Sequence, residues 1–200
     1  MIGSMMDWLI APLRSKDREA FLAFFDHERG RAFADNPEWS GCYCHFFHAA
    51  PALDWETFTP HQNRIAMQSR IEVGEMEGYV ARDEAGALVG WLNAQPRHKL
   101  PHCFARLECE PAAIDVPAHR AAVVLCFVID PAHRRQGIAR ALLGFALEDF
   151  AERGIALVDA FPSRDAKSAA AHFRGPRSLF LETGFVPLAE PADAMRRTLR

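Results

Sequence analysis

The sequence contains no apolar run approaching the ~20 residues that cross a bilayer. Its opening residues also lack a basic stretch followed by an apolar segment and a small-residue cleavage site. These absences predict no spanning helix and no secretory leader, and hence a cytoplasmic protein with no membrane partner. Excess cationic charge is missing too: 23 Lys and Arg stand against 26 Asp and Glu, the net charge is −3, and the basic residues are scattered. Clustered Lys and Arg are what neutralise a phosphate backbone, so nucleic acid is excluded as a partner. Neither G-x-G-x-x-G nor G-x-x-x-x-G-K-[ST] occurs, which removes dinucleotide-binding and P-loop folds. Cysteine is sparse and odd in number (Cys42, Cys44, Cys103, Cys109 and Cys126), and a chain of this size needs no disulfide staples, so reduced thiols are expected. Tyrosine is rarer still, with only Tyr43 and Tyr79.

What is present is 200 residues, half of them apolar and 24% charged, enough for one substantial core. A single domain over residues 1–200 is the expectation. Trp8 to Leu13 reads as a strand, and Asp17 to Arg29 places Phe21, Leu22, Phe24 and Phe25 on a helical face. Residues 35–60, punctuated by Pro37, Pro51 and Pro60, read as an irregular excursion, after which Asn63 to Val73 resumes as a helix. Tyr79–Arg82 and Ala87–Ala94 flank a turn of Asp83 to Gly86 and form a hairpin. Residues 97–117 lack periodicity and read as a long loop.

Ala121 to Ile129, AAVVLCFVI, is apolar without alternation, as in a strand covered on both faces. An amphipathic helix from Gly137 to Arg153 follows, stopped by Gly154, and then a buried strand from Ile155 to Phe161. Strand, helix, strand implies a parallel crossover between Val124 and Val158. A loop, a helix at Ser178 to Thr183, and strands at Phe185–Leu188 and Ala194–Leu199 complete the chain.

The chemically informative segment is Arg134-Arg135-Gln136-Gly137-Ile138-Ala139, between the buried strand and the amphipathic helix. A helix start leaves N–H groups unpaired and positively polarised, so it binds phosphate where no side chain blocks the approach. Gly137 and Ala139 are small at that point, and Arg134, Arg135 and Arg140 add cations. The competing reading is a solvated basic turn before an ordinary helix, and the buried flanking strands weigh against it.

The pattern R-x-x-G-x-A followed by RALLGFALEDFAERG resembles motif A of the GNAT acetyltransferases, with the motif region at about 121–154. Phe180 to Phe185 is similar to that superfamily's closing helix and strand, so the resemblance covers about Val123 to Leu188. Cys42-Tyr43-Cys44, Asn63-Arg64, Val89-Gly90-Trp91, Pro96-Arg97, Cys126-Phe127 and Phe161-Pro162 narrow it to a bacterial group carrying a Cys-aromatic-Cys motif. The resemblance implies an α+β fold, with a mixed, mostly antiparallel sheet of about six to seven strands flanked by helices. It implies acetyl-CoA as cosubstrate, its pyrophosphate on Arg134, Arg135, Gln136, Gly137, Ile138, Ala139 and Arg140, and its pantetheine arm along the Phe127 and Val128 backbone. The implied reaction is direct transfer of acetyl to a primary amine of a small molecule or peptide, by a possible homodimer. A non-catalytic acyl-CoA-binding module and a metal-binding interaction protein are the alternatives.

Cys42, Cys44, His45 and His48 offer four potential ligands, but a one-residue Cys spacing is unlike structural zinc, and no metal is expected. Cys126 falls beside the expected thioester, yet a cysteine inside an apolar strand reads more simply as an inert core residue. Asp159, Glu108, Glu110 and the loop histidines are the candidate bases. Many family members place a Tyr four residues before the closing Gly-Phe, where this chain has Phe180, so Tyr43 becomes the candidate acid unless no side-chain acid is used.

Overall fold

The computed structural model describes residues 8–163, 170–191 and 193–199. Part of the loop expected after Phe161 lies outside them. Seven strands form one sheet: β1 (Leu9–Pro12), β2 (Tyr79–Arg82), β3 (Leu88–Pro96), β4 (Ala121–Ile129), β5 (Leu157–Ala160), β6 (Val186–Pro187) and β7 (Met195–Thr198), in the order β1-β2-β3-β4-β5-β7-β6. Only the β4/β5 pair is parallel. The helices are α1 (Arg18–Phe24), α2 (Pro60–Glu72), α3 (Cys103–Arg106), α4 (Ile138–Glu152) and α5 (Arg177–Glu182). Among the described residues no helix is long and apolar enough to cross a membrane.

Several boundaries move for local reasons. Helix α1 stops at Phe24, short of Arg29, because the Asp26 carboxylate accepts the N–H groups of Glu28 (3.1 Å) and Arg29 (2.9 Å) and so competes with the helix for donors. Helix α2 starts three residues before Asn63. Thr59 and Gln62 form a reciprocal capping box, and Pro60 takes the first helical position, where no N–H is needed. The 97–117 segment folds into the short α3 and a 3₁₀ turn, anchored where Arg106 donates to the carbonyls of Ala49, Ala50 and Leu53. The crossover register pairs Val124 with Ala160 and Ala122 with Val158.

The sheet lies between two apolar layers. On one face Phe21 and Leu22 of α1, Phe25 just after it, and Met67 and Ile71 of α2 meet Trp91, Val123, Leu125 and Val128. On the other, Ile138, Leu142, Ala146 and Phe150 of α4 meet Leu92, Val124, Phe127 and Val158. Burial from both sides explains the unbroken apolar run of β4. The β3/β4 ladder carries an irregularity: Asn93 pairs with Cys126 and Ala94 with Val124, which leaves Leu125 as an extra residue. After it the facing of β4 inverts, so that Leu125 and Cys126 share the α1/α2 face while Val124 and Phe127 take the α4 face. Strand β5 pairs only with Ala121–Val124, so the sheet opens beside the rest of β4.

The two layers differ sharply from the outer surface in what they contribute. Phe150 is fully buried, edge-on to Tyr79 at 5.7 Å. Phe150→Ala is expected to cost about 3–5 kcal/mol in urea unfolding. Leu181, half exposed on α5, should change stability by no more than about 0.5 kcal/mol when cut to Ala. Equal effects would contradict this layering.

Candidate active site

The open stretch of β4 fixes which backbone groups are available. Asp130 N–H donates to the Val89 carbonyl at 2.9 Å, which makes that a hydrogen-bonded pair. Alternation along an antiparallel ladder then makes Trp91/Val128 and Asn93/Cys126 bonded pairs as well. Phe127 and Ile129 therefore turn their N–H and C=O groups toward the opening. There the Ile129 carbonyl accepts from Arg134 Nε at 3.1 Å. Of the two residues expected to offer backbone, Phe127 does so, whereas Val128 directs its backbone to β3.

On the α4 side of the opening lies a cavity of about 520 Å³, lined by Phe127 to Ile129 and by Phe173, Gly175 and Leu179. Helix α4 begins at its end. Gly137 is the N-cap with φ of 85°, a left-handed conformation favouring glycine, and no side chain caps the helix. The N–H groups of Gly137, Ile138, Ala139 and Arg140 therefore lack intrahelical partners. A Cβ at Gly137 would project into open space, with no atom within 4 Å.

Arg134, Arg135, Gly137, Ile138, Ala139 and Arg140 all line this cavity, but their side chains differ in use. Arg134 forks onto Asp35, at 2.5 and 2.9 Å, and this guanidinium holds the Asp35 carboxyl below its ordinary range. Arg140 pairs with Glu182, and Arg135 is exposed with no ion-pair partner among the described residues. Ile138 packs into the core. Gln136 lies outside the cavity wall, its amide donating to the Ala132 carbonyl at 3.2 Å.

A second cavity of about 670 Å³ lies on the α2 side and shares Phe33 and Phe173 with the first. Its wall is aromatic, with Trp39, Phe46, Phe47, Trp55 and Phe58, and the exposed carboxylates Glu38 and Glu56 stand at it. Cys42, Cys44 and Cys126 complete the lining. Tyr43 and Cys44 both adopt left-handed backbone, φ 48° and 60°, which swings the Cys44 sulfur under the sheet. There it accepts from Trp91 Nε1 at 3.2 Å and from Asn93 Nδ2 at 3.3 Å. The neighbouring Cys126 thiol foremost, and these two donors, hold the Cys44 thiol below its ordinary pKa. The neighbouring Cys44 and burial hold Cys126 above its own, and burial pushes Cys42 up to about 12.

The histidines of this region belong to the same buried network. His48 Nε2 faces Asn93 Nδ2 and Gln95 Nε2, both at 3.3 Å, and burial takes its pKa down to about 3, so it is a neutral acceptor. His45 Nδ1 meets Asn63 Oδ1 at 2.8 Å, and burial lowers its pKa too. Among the described residues no three His, Cys, Asp or Glu side chains are grouped to hold a metal ion.

The residues expected to move protons are engaged elsewhere. Asp159 is fully buried on β5, lines neither cavity, and is gripped by the Arg196 guanidinium at 2.7 and 3.0 Å, with Arg97 at 3.8 Å. A carboxylate so paired is structural and does not fit the role of base. Tyr43 also lines neither cavity, and its hydroxyl accepts the His27 N–H at 3.3 Å within the core, which does not fit the role of acid. Glu108, Glu110, His98 and His102 line neither cavity. Phe180 is fully buried against Phe127 and Phe185. Sequence reasoning missed Trp91 and Asn93 as partners of Cys44. The available signal was Asn93 itself, a polar residue inside an otherwise apolar strand, which must find a partner.

A family model described as the acetyltransferase (GNAT) family matches residues 39–174. Among solved structures, the chain is similar to YhbS, a GNAT family N-acetyltransferase from Escherichia coli in complex with CoA. That match has 16% identity and a TM-score of 0.57, and covers 100% of this chain and 86% of that one. It is similar to a GNAT family acetyltransferase from Listeria monocytogenes, with 15% identity, a TM-score of 0.57, and coverage of 100% and 99%. A phosphinothricin acetyltransferase from Sinorhizobium meliloti, in complex with AcCoA, matches with 16% identity, a TM-score of 0.53, and coverage of 97% and 89%. These likenesses establish the fold. No curated protein matches the sequence significantly.

The Asp159 grip has a measurable consequence. Arg196→Ala leaves a buried carboxylate with only the more distant Arg97, and should destabilise the fold by about 3–5 kcal/mol. A loss below 1 kcal/mol, read by urea titration, would show that Asp159 is not held as an ion pair.

Proposed function

The chain belongs to the GNAT acetyltransferase family, and we propose that it transfers an acetyl group from acetyl-CoA to a primary amine, with the thioester in the opening beside Cys126 and Phe127. One observation carries this reading: two cavities meet at the split strand, and one of them ends at an uncapped helix N-terminus. Four N–H groups without intrahelical partners, the helix dipole and the exposed Arg135 suit a pyrophosphate, and the open space above Gly137 leaves room for it. The Phe127 N–H and C=O suit a pantetheine amide, which would add to β4 as a further strand does. Structural neighbours solved with CoA and with AcCoA support the same cosubstrate.

The second cavity is the acceptor side in this reading. Its aromatic wall suits an acceptor with an apolar body, and Glu38 and Glu56 attract the ammonium group. A small amine or a peptide end meets these terms. Neither tyrosine lines either cavity, and the departing thiol has a pKa near ~8.5, so it leaves as a tolerable thiolate. The amine, at ~10.4, is the partner that must lose a proton.

Acetyl-CoA should raise the melting temperature and give a calorimetric binding signal. Gly137→Ala puts a methyl group into the pyrophosphate space at φ 85°. It should weaken binding at least about tenfold, while strain lowers the stability of the unliganded protein by only about 1–2 kcal/mol. Absence of binding to the wild type would refute the reading, and binding without CoA release across an amine panel would favour a non-catalytic module. With a true acceptor, kcat/KM should rise with pH as the ammonium deprotonates, then level off with no descending limb. A fall near pH ~9–10 that Tyr43→Phe removes would restore Tyr43 as an acid.

A further inference from the structure

We infer that the acceptor is a small dication: a primary amine joined by an apolar spacer to a second cationic group, which Glu38 and Glu56 hold while the first amine reaches the thioester. The inference rests on the acetyltransferase reading and names the acceptor class of the same site. The two cavities are sorted by charge. Arg134, Arg135 and Arg140 line the one assigned to acetyl-CoA, whereas the acceptor cavity carries Glu38 and Glu56 and, among the described residues, no Lys, Arg or His. Neither carboxylate has an ion-pair partner among the described residues. Arg106, over the Phe46 ring at 5.2 Å, spends its guanidinium on the carbonyls of Ala49, Ala50 and Leu53. An acceptor with a carboxylate of its own, such as an amino acid, therefore meets repulsion and no counter-charge.

The wall is equally short of partners for hydroxyl and amide groups. Asn63 is its one amide side chain, and both ends are spent, Oδ1 on His45 Nδ1 at 2.8 Å and Nδ2 on the Gly41 carbonyl at 2.9 Å. Among the described residues no Ser, Thr or Tyr lines it, which leaves the indole N–H groups of Trp39 and Trp55 and the cysteine thiols. A sugar or a peptide end would bury polar groups without partners, which opposes binding. An alkyl or aryl spacer suits this wall, and mutual packing holds the wall in place. Trp55 stacks on Phe58 at 5.5 Å and meets Phe46 edge-on at 5.2 Å, and Trp39 meets Phe173 edge-on at 5.4 Å.

The position of the carboxylates decides which amine they serve. Glu38 and Glu56 are exposed, whereas Cys44, Phe47 and Cys126 are buried, so the charge stands at the mouth and the floor is apolar. The attacking amine must be neutral, and an apolar floor favours its neutral form. A carboxylate beside it would keep it charged. The carboxylates at the mouth therefore suit a different cation of the same molecule, and Trp39 and Trp55, adjacent to them in sequence, add aromatic rings for a cation–π contact. The transfer balances without a further reagent. The neutral amine's lone pair forms the C–N bond, the C–S bond to coenzyme A breaks, the thiolate departs, and the proton of the new amide nitrogen passes to solvent.

The test compares amines built on one hexyl chain: hexylamine, hexamethylenediamine, aminohexanol and aminohexanoate. Each is assayed by coenzyme A release from the wild-type protein at saturating acetyl-CoA. Corrected for its two equivalent amines, hexamethylenediamine should exceed hexylamine in kcat/KM by at least about tenfold, chiefly through KM. Aminohexanol should fall below hexylamine, and aminohexanoate at least about tenfold below it. The ratio of diamine to hexylamine should shrink as salt rises, because the carboxylates are exposed, and should approach one in the Glu38→Gln, Glu56→Gln double variant. Equal kcat/KM for diamine and hexylamine in the wild type, a preference for aminohexanoate, or a diamine preference that survives the double substitution would overturn the inference. Calorimetric binding of acetyl-CoA with none of the amines acetylated would overturn this acceptor class and leave the cosubstrate standing. Failure of acetyl-CoA to bind would overturn the acetyltransferase reading itself. Should the double variant fail to fold, the wild-type series and its salt dependence decide the matter.

Discussion

The bulge at Leu125 in β4, opposite the Asn93–Ala94 step, decides what every later residue of the strand faces. Under strict alternation Cys126 would point at α4, and Phe127 at α1 and α2. With the bulge, Cys126 joins Cys44 on one face and Phe127 meets Phe180 on the other. The same irregularity marks where β5 stops pairing, so it both opens the sheet and distributes side chains to the two cavities. Bulges add twist as well as a residue, and a twisted strand diverges from a parallel neighbour that does not follow it. The position of one residue therefore sets the geometry of the whole site.

Around this opening the protein buries an unusual amount of polar matter. Asn93 and Gln95 project from β3 into a layer otherwise made of Phe21, Phe25, Trp91 and Val128. Unpartnered, each amide would cost roughly 1–3 kcal/mol. Instead Gln95 Nε2 donates to Asn93 Oδ1 at 2.8 Å, and both amides reach His48, whose neutrality leaves it a lone pair to offer. Asn93 has one further donor direction, and that direction ends on the Cys44 sulfur. The network is thus closed only when the Cys42 to Cys44 turn takes its left-handed form. That requirement accounts for the backbone strain at Tyr43 and Cys44.

The layered fold was legible because its signals are local. β4 coincides with the apolar run at 121–129, and α4 with the periodicity after Gly137, because burial on two faces or on one imprints a repeat directly on the residues concerned. The uncapped start of α4 was legible for the same reason. What could not be read was the use made of particular side chains by residues far away in sequence. Nothing near Asp159 announces Arg196, and nothing near Arg134 announces Asp35, 99 positions earlier. Tyr43 had the right chemistry for an acid, and nothing around it in the chain signals that its hydroxyl is spent on the His27 N–H. The bulge left no mark either, since an inserted leucine in an all-apolar strand preserves the pattern.

The capture of Arg134 bears on how the anion end of the site works. The turn after β4 is tied to the 31–35 segment at two points, Arg134 to Asp35 and Arg31 to Asp130 at 3.0 Å, and Phe33, shared by both cavities, lies between them. Asp130 in turn fixes the turn itself by accepting the Ala132 N–H at 3.0 Å. Arg134 is therefore a positioning residue: it holds Phe33 against the opening and keeps the Ile129 carbonyl occupied. A partly exposed pair such as Arg134–Asp35 contributes about 0–1 kcal/mol, so its value lies in geometry rather than stability. With Arg134 engaged and Arg140 shared with Glu182, the anion binding proposed above would fall mainly on the backbone N–H groups of Gly137 to Arg140 and on Arg135. Those N–H groups are fixed by the helix and need no side-chain ordering on binding, unlike a flexible arginine. This makes the left-handed Gly137, which starts the helix without blocking it, the residue on which that end of the cavity depends.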